Sequence, residues 1–275
     1  MIHYTDRLTR LMHDIVSRVP TLSFIDVADL LVFARPGRSD AAGAFATCHC
    51  LSLPPSDPGY YFWRDRRTGR ITRRSEWFIT KSPVVTISAH PLKYLFSFAL
   101  PRFCDQSLDR SKKERFYPGA DHPWIAKLDT VVHELYHIDP QQNGIRRIER
   151  GDGTFSANCH SGEFFEQVAE MVHAYLASDP DPAVYDFLHH DFASLERSHG
   201  GVVGTSFRTF PSYPQRFLEP LAKQPVCDID FAGIEIERVR IARQPTRYTE
   251  DDLHIRHFSK ETSCRLVRKG QFRAA

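Results

Sequence analysis

The sequence lacks the features that would assign it to several large classes of protein. Its net charge is only +2, with 36 basic and 34 acidic residues, so no overall field attracts nucleic acid or a membrane surface. No apolar run approaches the length of a membrane span. The N-terminus is charged and amphipathic, without the apolar core of a signal peptide. We therefore expect a cytoplasmic protein with no membrane partner.

Cysteine is also scarce, and its spacing excludes an obvious disulfide framework. The six cysteines are scattered along the chain, and without a secretion signal reduced thiols are the default. Cys48-His49-Cys50 resembles part of a metal site. On a strand, however, alternate residues face opposite sides, so only the two cysteines share a face. Because no second pair lies nearby, we do not predict a structural metal there.

What the sequence does contain is the pentapeptide His-Glu-Leu-Tyr-His at residues 133–137. On an α-helix, His133 and His137 are one turn apart on the same face, so both imidazoles can reach a single zinc ion. Glu134 lies beside His133, where it can take a proton from a zinc-bound water. The motif therefore predicts metal-assisted hydrolysis, most often of a peptide bond.

The flanking residues predict that this motif lies on a helix. Asp121 and Pro123 are typical of a helix start, and turn residues at 139–140 and 143–144 are typical of its end. Apolar residues recur between them at helical spacing: Trp124, Ile125, Leu128, Val131, Val132, Leu135 and Ile138. The two histidines fall on a different stripe, beside Thr130, where they can face a cleft.

A catalytic zinc has three protein ligands and one water, so a third ligand is required. We favour His160, which precedes a second helix with Ser161 as its N-cap. The apolar stripe of that helix comprises Phe164, Phe165, Val168, Met171, Val172, Tyr175 and Leu176. The alternative ligands are three glutamates of the same helix: Glu163, Glu166 and Glu170.

These segments resemble a known family. HELYH, a loop of about twenty residues and His-Ser-Gly-Glu-Phe at a helix start are similar to the SprT-like, or Spartan-type, zinc metallopeptidases. The stretch HELYHIDPQQNGIRR also resembles phage and prophage metallopeptidases. The resemblance covers about residues 25–176 and is specific mainly in 131–165. Two features depart from the family: the chain has no CxxC zinc ribbon, and residues 101–122 and those after about 180 have no counterpart.

The resemblance implies a zincin core with a catalytic Zn²⁺. The residues it implies for the site are His133, His137 and His160 as ligands and Glu134 as base. In that architecture an edge strand above the active helix pairs with an extended substrate backbone. The sequence does not identify that strand.

Hydrophobic patterns elsewhere predict an α+β fold, in which a small mixed or antiparallel sheet packs on the HExxH helix and a following helix. A first helix is expected at about 4–18. Strands are expected at 30–34, 45–51, 60–63 and 84–88. We divide the chain into a catalytic domain, 1–178, and a C-terminal extension of unknown role, 183–275.

The catalytic domain carries an expected insertion at about 89–122, interpreted as a connecting segment rather than a lid. Its apolar run at 91–100 predicts a short helix. In the extension we expect a helix at 187–195, then a loop region from Gly200-Gly201, and a strand at 234–241.

Together these observations predict a zinc metallopeptidase that hydrolyses peptide or protein substrates through a zinc-bound water activated by Glu134. Two alternatives stay open. One is a non-catalytic zincin-fold binding or regulatory protein, whose basic segments 64–74, 110–115 and 265–273 would contact nucleic acid if they converged. An intact Glu134 argues against it, because binding alone does not need that carboxylate. The other is a zinc amidohydrolase acting on a non-peptide amide. His173 and Arg147 are candidates for stabilising the oxyanion.

Overall fold

The computed structural model has a mixed α+β fold with small sheets. It describes residues 1–40, 43–51, 58–64, 71–81, 83–108, 111, 113–118, 123–142, 144–146, 160, 162–209, 215–219 and 246–260. The helices are α1 (Tyr4–Arg18), α2 (Ile125–Tyr136), α3 (Gly162–Ala177), α4 (Pro182–Tyr185) and α5 (Phe192–His199). Short 3₁₀ turns lie at Pro20–Leu22, Val27–Asp29, Glu114–Phe116, Asp186–His189 and Glu250–Asp252.

The sheet beside the HExxH helix has three strands in the order β2 (Leu30–Gly37), β8 (Tyr94–Pro101) and β3 (Ala46–Cys50). β2 runs parallel to β8, and β3 runs antiparallel to it, with Cys48 opposite Phe96. β8 is buried along its whole length. The middle strand is thus covered on both faces, and in the described residues β2 and β3 are the two outer strands of this sheet.

The remaining strands form three further small sheets. Their members are β1 (Ile2–His3), β4 (Pro58–Arg64), β5 (Ile71–Lys81), β6 (Val84–Ile87), β7 (His90–Pro91), β9 (Val202–Phe207), β10 (Gln215–Glu219), β11 (Arg247–Tyr248) and β12 (Leu253–Phe258). The orders are β1-β9-β12, β10-β5-β4 and β11-β6-β7. β1 pairs in parallel with β9, and β12 pairs with β9 in the antiparallel direction. The first and last strands of the described chain therefore lie in one sheet.

One large hydrophobic core holds the helices to the sheet. The apolar stripe of α1 and the whole predicted stripe of α2 contribute to it, as do Phe96 and Phe98 of β8. Phe187 and Leu195, beyond the predicted boundary at 178, lie in the same core. A smaller cluster around Phe33 and Leu95 covers the other face of the sheet. The predicted boundary between a catalytic domain and a C-terminal extension therefore cuts through a single hydrophobic core.

Several predicted elements are confirmed: α1, β2, β3, β6, α2 and α3 lie where the patterns indicate. The helix predicted at 91–100 is wrong, because those residues form β7 and β8. An apolar run buried on both faces loses the alternation that marks a strand. Nor is 187–195 one helix: a 3₁₀ turn ends at His189, and α5 begins at Phe192, capped by Asp191. β9 occupies part of the region predicted as loop.

The strand predicted at 234–241 and the basic tail at 265–273 lie outside the described residues. No helix in the described part of the chain has both the length and the apolar character needed to cross a membrane.

Candidate metal centre

Helix α2 carries the HExxH motif at its C-terminal end. Its apolar stripe is buried in the core, which fixes the rotation of the helix and turns the histidine stripe toward a cavity. His137 is the C-cap, with its backbone N–H bonded to the carbonyl of His133. The chain then doubles back through a bridge between Ile138 and Ile145. The helix thus ends at Tyr136 with the second histidine as its C-cap, a few residues before the turn residues at 139–140 that the sequence predicted to end it.

The three predicted ligands converge. The Nε2 atoms of His133, His137 and His160 form a triangle in which each side is 3.1 Å. His160 lies two residues before the start of α3 and is exposed, whereas His137 is buried. Among the described residues, these three histidines are the group of ligating side chains close enough to hold a metal ion. The competing glutamates, Glu163, Glu166 and Glu170, lie on exposed positions of α3 outside this group.

This donor set fits a zinc ion. Zn–N bonds of about 2.0–2.1 Å at tetrahedral angles separate ligand nitrogens by about 3.3 Å, close to the observed spacing. A nitrogen of a neutral imidazole carries either a proton or a lone pair, so the three Nε2 atoms cannot all be paired by hydrogen bonds among themselves. Burial lowers the pKa of His133 well below its usual range and that of His137 to about 3, and it also lowers the pKa of His160. The rings are therefore neutral near pH 7, the form that binds metal.

Aromatic packing orients the histidine rings. Phe164, fully buried in the first turn of α3, stacks on His137 at 4.9 Å and meets the ring of His133 edge-on at 5.0 Å. The ring of Phe165 stacks on the ring of His160, with 5.9 Å between the ring centroids. In the described structure the buried Nδ1 atoms of His133 and His137 have no hydrogen-bond partner. Among the described residues, ring contacts thus provide the orientation that a hydrogen bond to Nδ1 gives in many zinc sites.

Glu134 points into the same cavity and is only 5% exposed. Burial raises the pKa of its carboxyl to about 7. A hydrogen bond from the backbone of Cys48 and the nearby charges of Lys113 and Arg35 act in the opposite direction. A carboxyl group with a pKa near neutrality can both accept and return a proton at physiological pH.

The cavity has a volume of about 420 Å³, and strand β3 forms one of its walls. The contributing residues of that wall are Ala44, Phe45, Ala46, Thr47 and Cys48. The other residues that line the cavity are the three histidines, Glu134, Thr130, Lys113 and Ile145. In the described residues β3 is thus the strand that lines the cavity beside the HExxH helix, which the sequence did not identify.

Lys113 is a site residue that the sequence analysis did not find. Its Nζ lies 2.6 Å from Asp129 Oδ1 and 2.6 Å from Thr130 Oγ1, both on α2. Tyr117 donates to the other oxygen of Asp129 at 2.6 Å, so residues 113–117 are held against the helix. In the sequence Lys113 is one of several basic residues at 110–115, and nothing in its spacing distinguishes it.

The other candidate residues lie apart from the histidines. His173 is exposed on α3, with its ring against Tyr117 and its Nε2 3.4 Å from the carbonyl of Phe116. Arg147 lies outside the described residues. His49 turns away from Cys48 and bonds Ser97 Oγ at 3.0 Å, as strand alternation predicted. In the described chain Cys48, His49 and Cys50 are not part of a metal-binding group.

Comparisons with protein-family models, curated proteins and solved structures find no match for this chain. Interpretation of the site therefore depends on the geometry of its own residues.

Zinc is expected to stabilise the fold, because a ligand that binds only the folded state shifts unfolding by mass action. Free zinc at one hundred times its Kd adds about 2.7 kcal/mol, or about 5–10 °C in Tm for a chain of this size. Differential scanning calorimetry of the chelated protein with and without zinc measures the shift. Magnesium is the control, since it prefers oxygen ligands and should leave Tm unchanged. Equal shifts with both ions would contradict a nitrogen-ligand site.

Proposed function

We propose that the protein is a zinc-dependent metallopeptidase with a zincin-type core. The observation that carries this proposal is the convergence of three neutral imidazoles and a buried carboxyl group in one cavity. His133, His137 and His160 would hold the metal, which leaves a fourth position for water or substrate in a catalytic zinc site. When bound, zinc supplies a Lewis acid that polarises a carbonyl and lowers the pKa of water.

Glu134 is the general base and then the general acid in this proposal. It takes a proton from the water that attacks the scissile carbonyl and delivers it to the departing amine. Its pKa of about 7 suits both steps. The backbone N–H of Cys48 holds the carboxylate beside β3. A site that only bound metal or ligand would gain nothing from a carboxyl group kept in so apolar a place.

Strand β3 is suited to hold an extended substrate. In its pairing with β8, Phe45 accepts a hydrogen bond from Ala99, and Leu51 donates one to Lys93. Bonded pairs alternate along an antiparallel ladder, so odd-numbered residues of β3 bond β8. The even-numbered positions, 46, 48 and 50, direct their backbone groups toward the outer edge. Of these, the N–H of Cys48 already bonds Glu134, so a peptide added as a strand would pair beside Ala46, next to the cavity that the histidines line.

The experiment that tests this function is substrate profiling of the zinc-loaded protein. The full chain is incubated with a peptide library, and new termini are identified by mass spectrometry. We expect cleavage that a zinc chelator abolishes and that added zinc restores. A library of non-peptide amides run in parallel addresses the amidohydrolase alternative. Zinc-replete protein that cleaves no peptide would refute the proposal.

A further inference from the structure

A second cavity lies beside the metal centre and is not used by the proposed chemistry. Its volume is about 360 Å³, and the described residues that line it are Arg115, Phe116, Gly162 and Phe165. We refer to these four residues as the aromatic pocket. It is formed by the segment that follows Lys113 and by the first turn of α3, which follows His160.

The aromatic pocket adjoins the cleft directly. The ring of Phe165 lies 5.9 Å from the ring of His160, with an interplanar angle of 17°, and 5.7 Å from the ring of His133. Lys113 lines the metal cavity, and Arg115 and Phe116 line the second cavity. A substrate whose scissile bond lies at the histidines would therefore have one of its side chains within reach of the pocket.

The chemistry of the lining favours an apolar occupant. Phe116 and Phe165 are both half-buried, so each ring keeps an open face or edge. Arg115 places its guanidinium over the ring of Phe116, with Cζ 4.5 Å from the centroid, and is otherwise exposed. Its charge is thus already engaged by the face of an aromatic ring. Aromatic rings add favourable stacked or edge-to-face contacts to simple apolar burial.

Gly162 keeps this space open. A Cβ atom placed at Gly162 meets no other atom within 4 Å. The position therefore accepts a side chain without a backbone clash, and because Gly162 lines the pocket, we expect a large side chain there to occupy it.

We propose that the aromatic pocket is a specificity pocket that takes a large aromatic side chain of the substrate. The inference rests on the proposed function, because it assigns a role to a cavity next to that catalytic site. A hydrophobic pocket discriminates between side chains that differ by one methylene by about 10–200-fold. We expect a preference of at least about 10-fold for phenylalanine over alanine in the pocket.

The test measures binding rather than turnover. Short peptide hydroxamates with alanine, phenylalanine or aspartate next to the zinc-chelating group compete for the zinc-loaded full-length protein in a fluorescence assay. The phenylalanine compound should bind at least about 10-fold more tightly than the alanine compound. Gly162→Leu should abolish this difference and leave the alanine compound and the zinc content unchanged. Gly162→Ala, the matched control, should keep most of the preference.

Several results would overturn the inference. Equal binding of the phenylalanine and alanine compounds would do so, as would tightest binding of the aspartate compound or a folded Gly162→Leu variant that keeps the preference. Failure of every hydroxamate to bind the zinc-loaded protein would also overturn it, because the cleft would then be closed to peptide ligands. The comparison of compounds on the unmodified protein stands even if Gly162→Leu does not fold. The proposed function fails separately, through the absence of chelator-sensitive cleavage.

Discussion

Replacing Glu134 with glutamine is expected to slow peptide hydrolysis by about 10²–10⁴-fold while zinc stays bound. The amide has nearly the same shape as the carboxyl group, and its oxygen can still accept the N–H of Cys48. What it loses is the ability to take up and return a proton. The two measurements are initial cleavage rates on the best substrate from profiling and zinc content by mass spectrometry of the purified variant.

The matched control for this substitution is Glu166→Gln. Glu166 is an exposed glutamate of α3 and lies outside the group of potential ligands. Its substitution removes the same charge from the protein and should leave the rate within about twofold of the unmodified protein. The assignment of Glu134 as base would be wrong if Glu134→Gln cleaved as fast as Glu166→Gln. If Glu134→Gln lost zinc, the carboxyl group would have a role in holding the metal site.

The parts of the site that the sequence predicts are those set by local spacing. His133 and His137 come together because they are one turn apart, and the stripe of apolar residues fixes which side of α2 faces the core. His160 is further along the chain, but the sequence pattern still predicts its position just before a second amphipathic helix. The sequence predicts Phe164 as part of an apolar stripe. Its packing on the rings of both α2 histidines depends on tertiary structure, which the sequence pattern does not predict.

The parts that the sequence misses depend on contacts between distant segments. β8 is buried on both faces, so it shows a continuous apolar run instead of an alternating one, and a short helix fits that run equally well. β9 likewise follows two glycines and is buried at nearly every position. Lys113 joins the site through Asp129 and Thr130, which lie well beyond it in the chain. No local pattern marks such a residue.

The position of β3 shows the same limit. Its residues were predicted as a strand, and the structure confirms this. The alternation of β3 puts Ala46, Cys48 and Cys50 on one face and Thr47 and His49 on the other, but whether the strand lies at an edge or in the middle depends on its neighbours. Only the pairing with β8 on one side, and the hydrogen bond from Cys48 to Glu134 on the other, identify it as the wall of the cleft.

Replacing His160 with alanine is expected to weaken zinc binding by more than about 100-fold. That figure is the upper end of the loss seen when residues that merely support a ligand are removed, and loss of a ligand itself costs more. Only two imidazoles would remain in the cluster, and a catalytic zinc site requires three protein ligands. His160 is exposed and lies outside the core, so the fold should persist. Competition with a fluorescent zinc chelator measures the Kd, and circular dichroism checks the fold.

Three matched variants separate a ligand from a neighbouring side chain on the same stretch of chain. Glu166→Ala and Glu170→Ala remove two of the three rival carboxylates of α3, and His173→Ala removes an exposed imidazole whose ring contacts Tyr117 rather than the histidine triangle. Each should bind zinc as tightly as the unmodified protein. The assignment of His160 would be wrong if His160→Ala kept tight zinc binding and either glutamate variant lost it. The third ligand would then be a glutamate of α3. The site would then belong to the class of zincins whose second helix supplies a glutamate, and the triangle of imidazoles would need another explanation. If zinc binding is lost only in His160→Ala, the third ligand is the histidine that precedes α3.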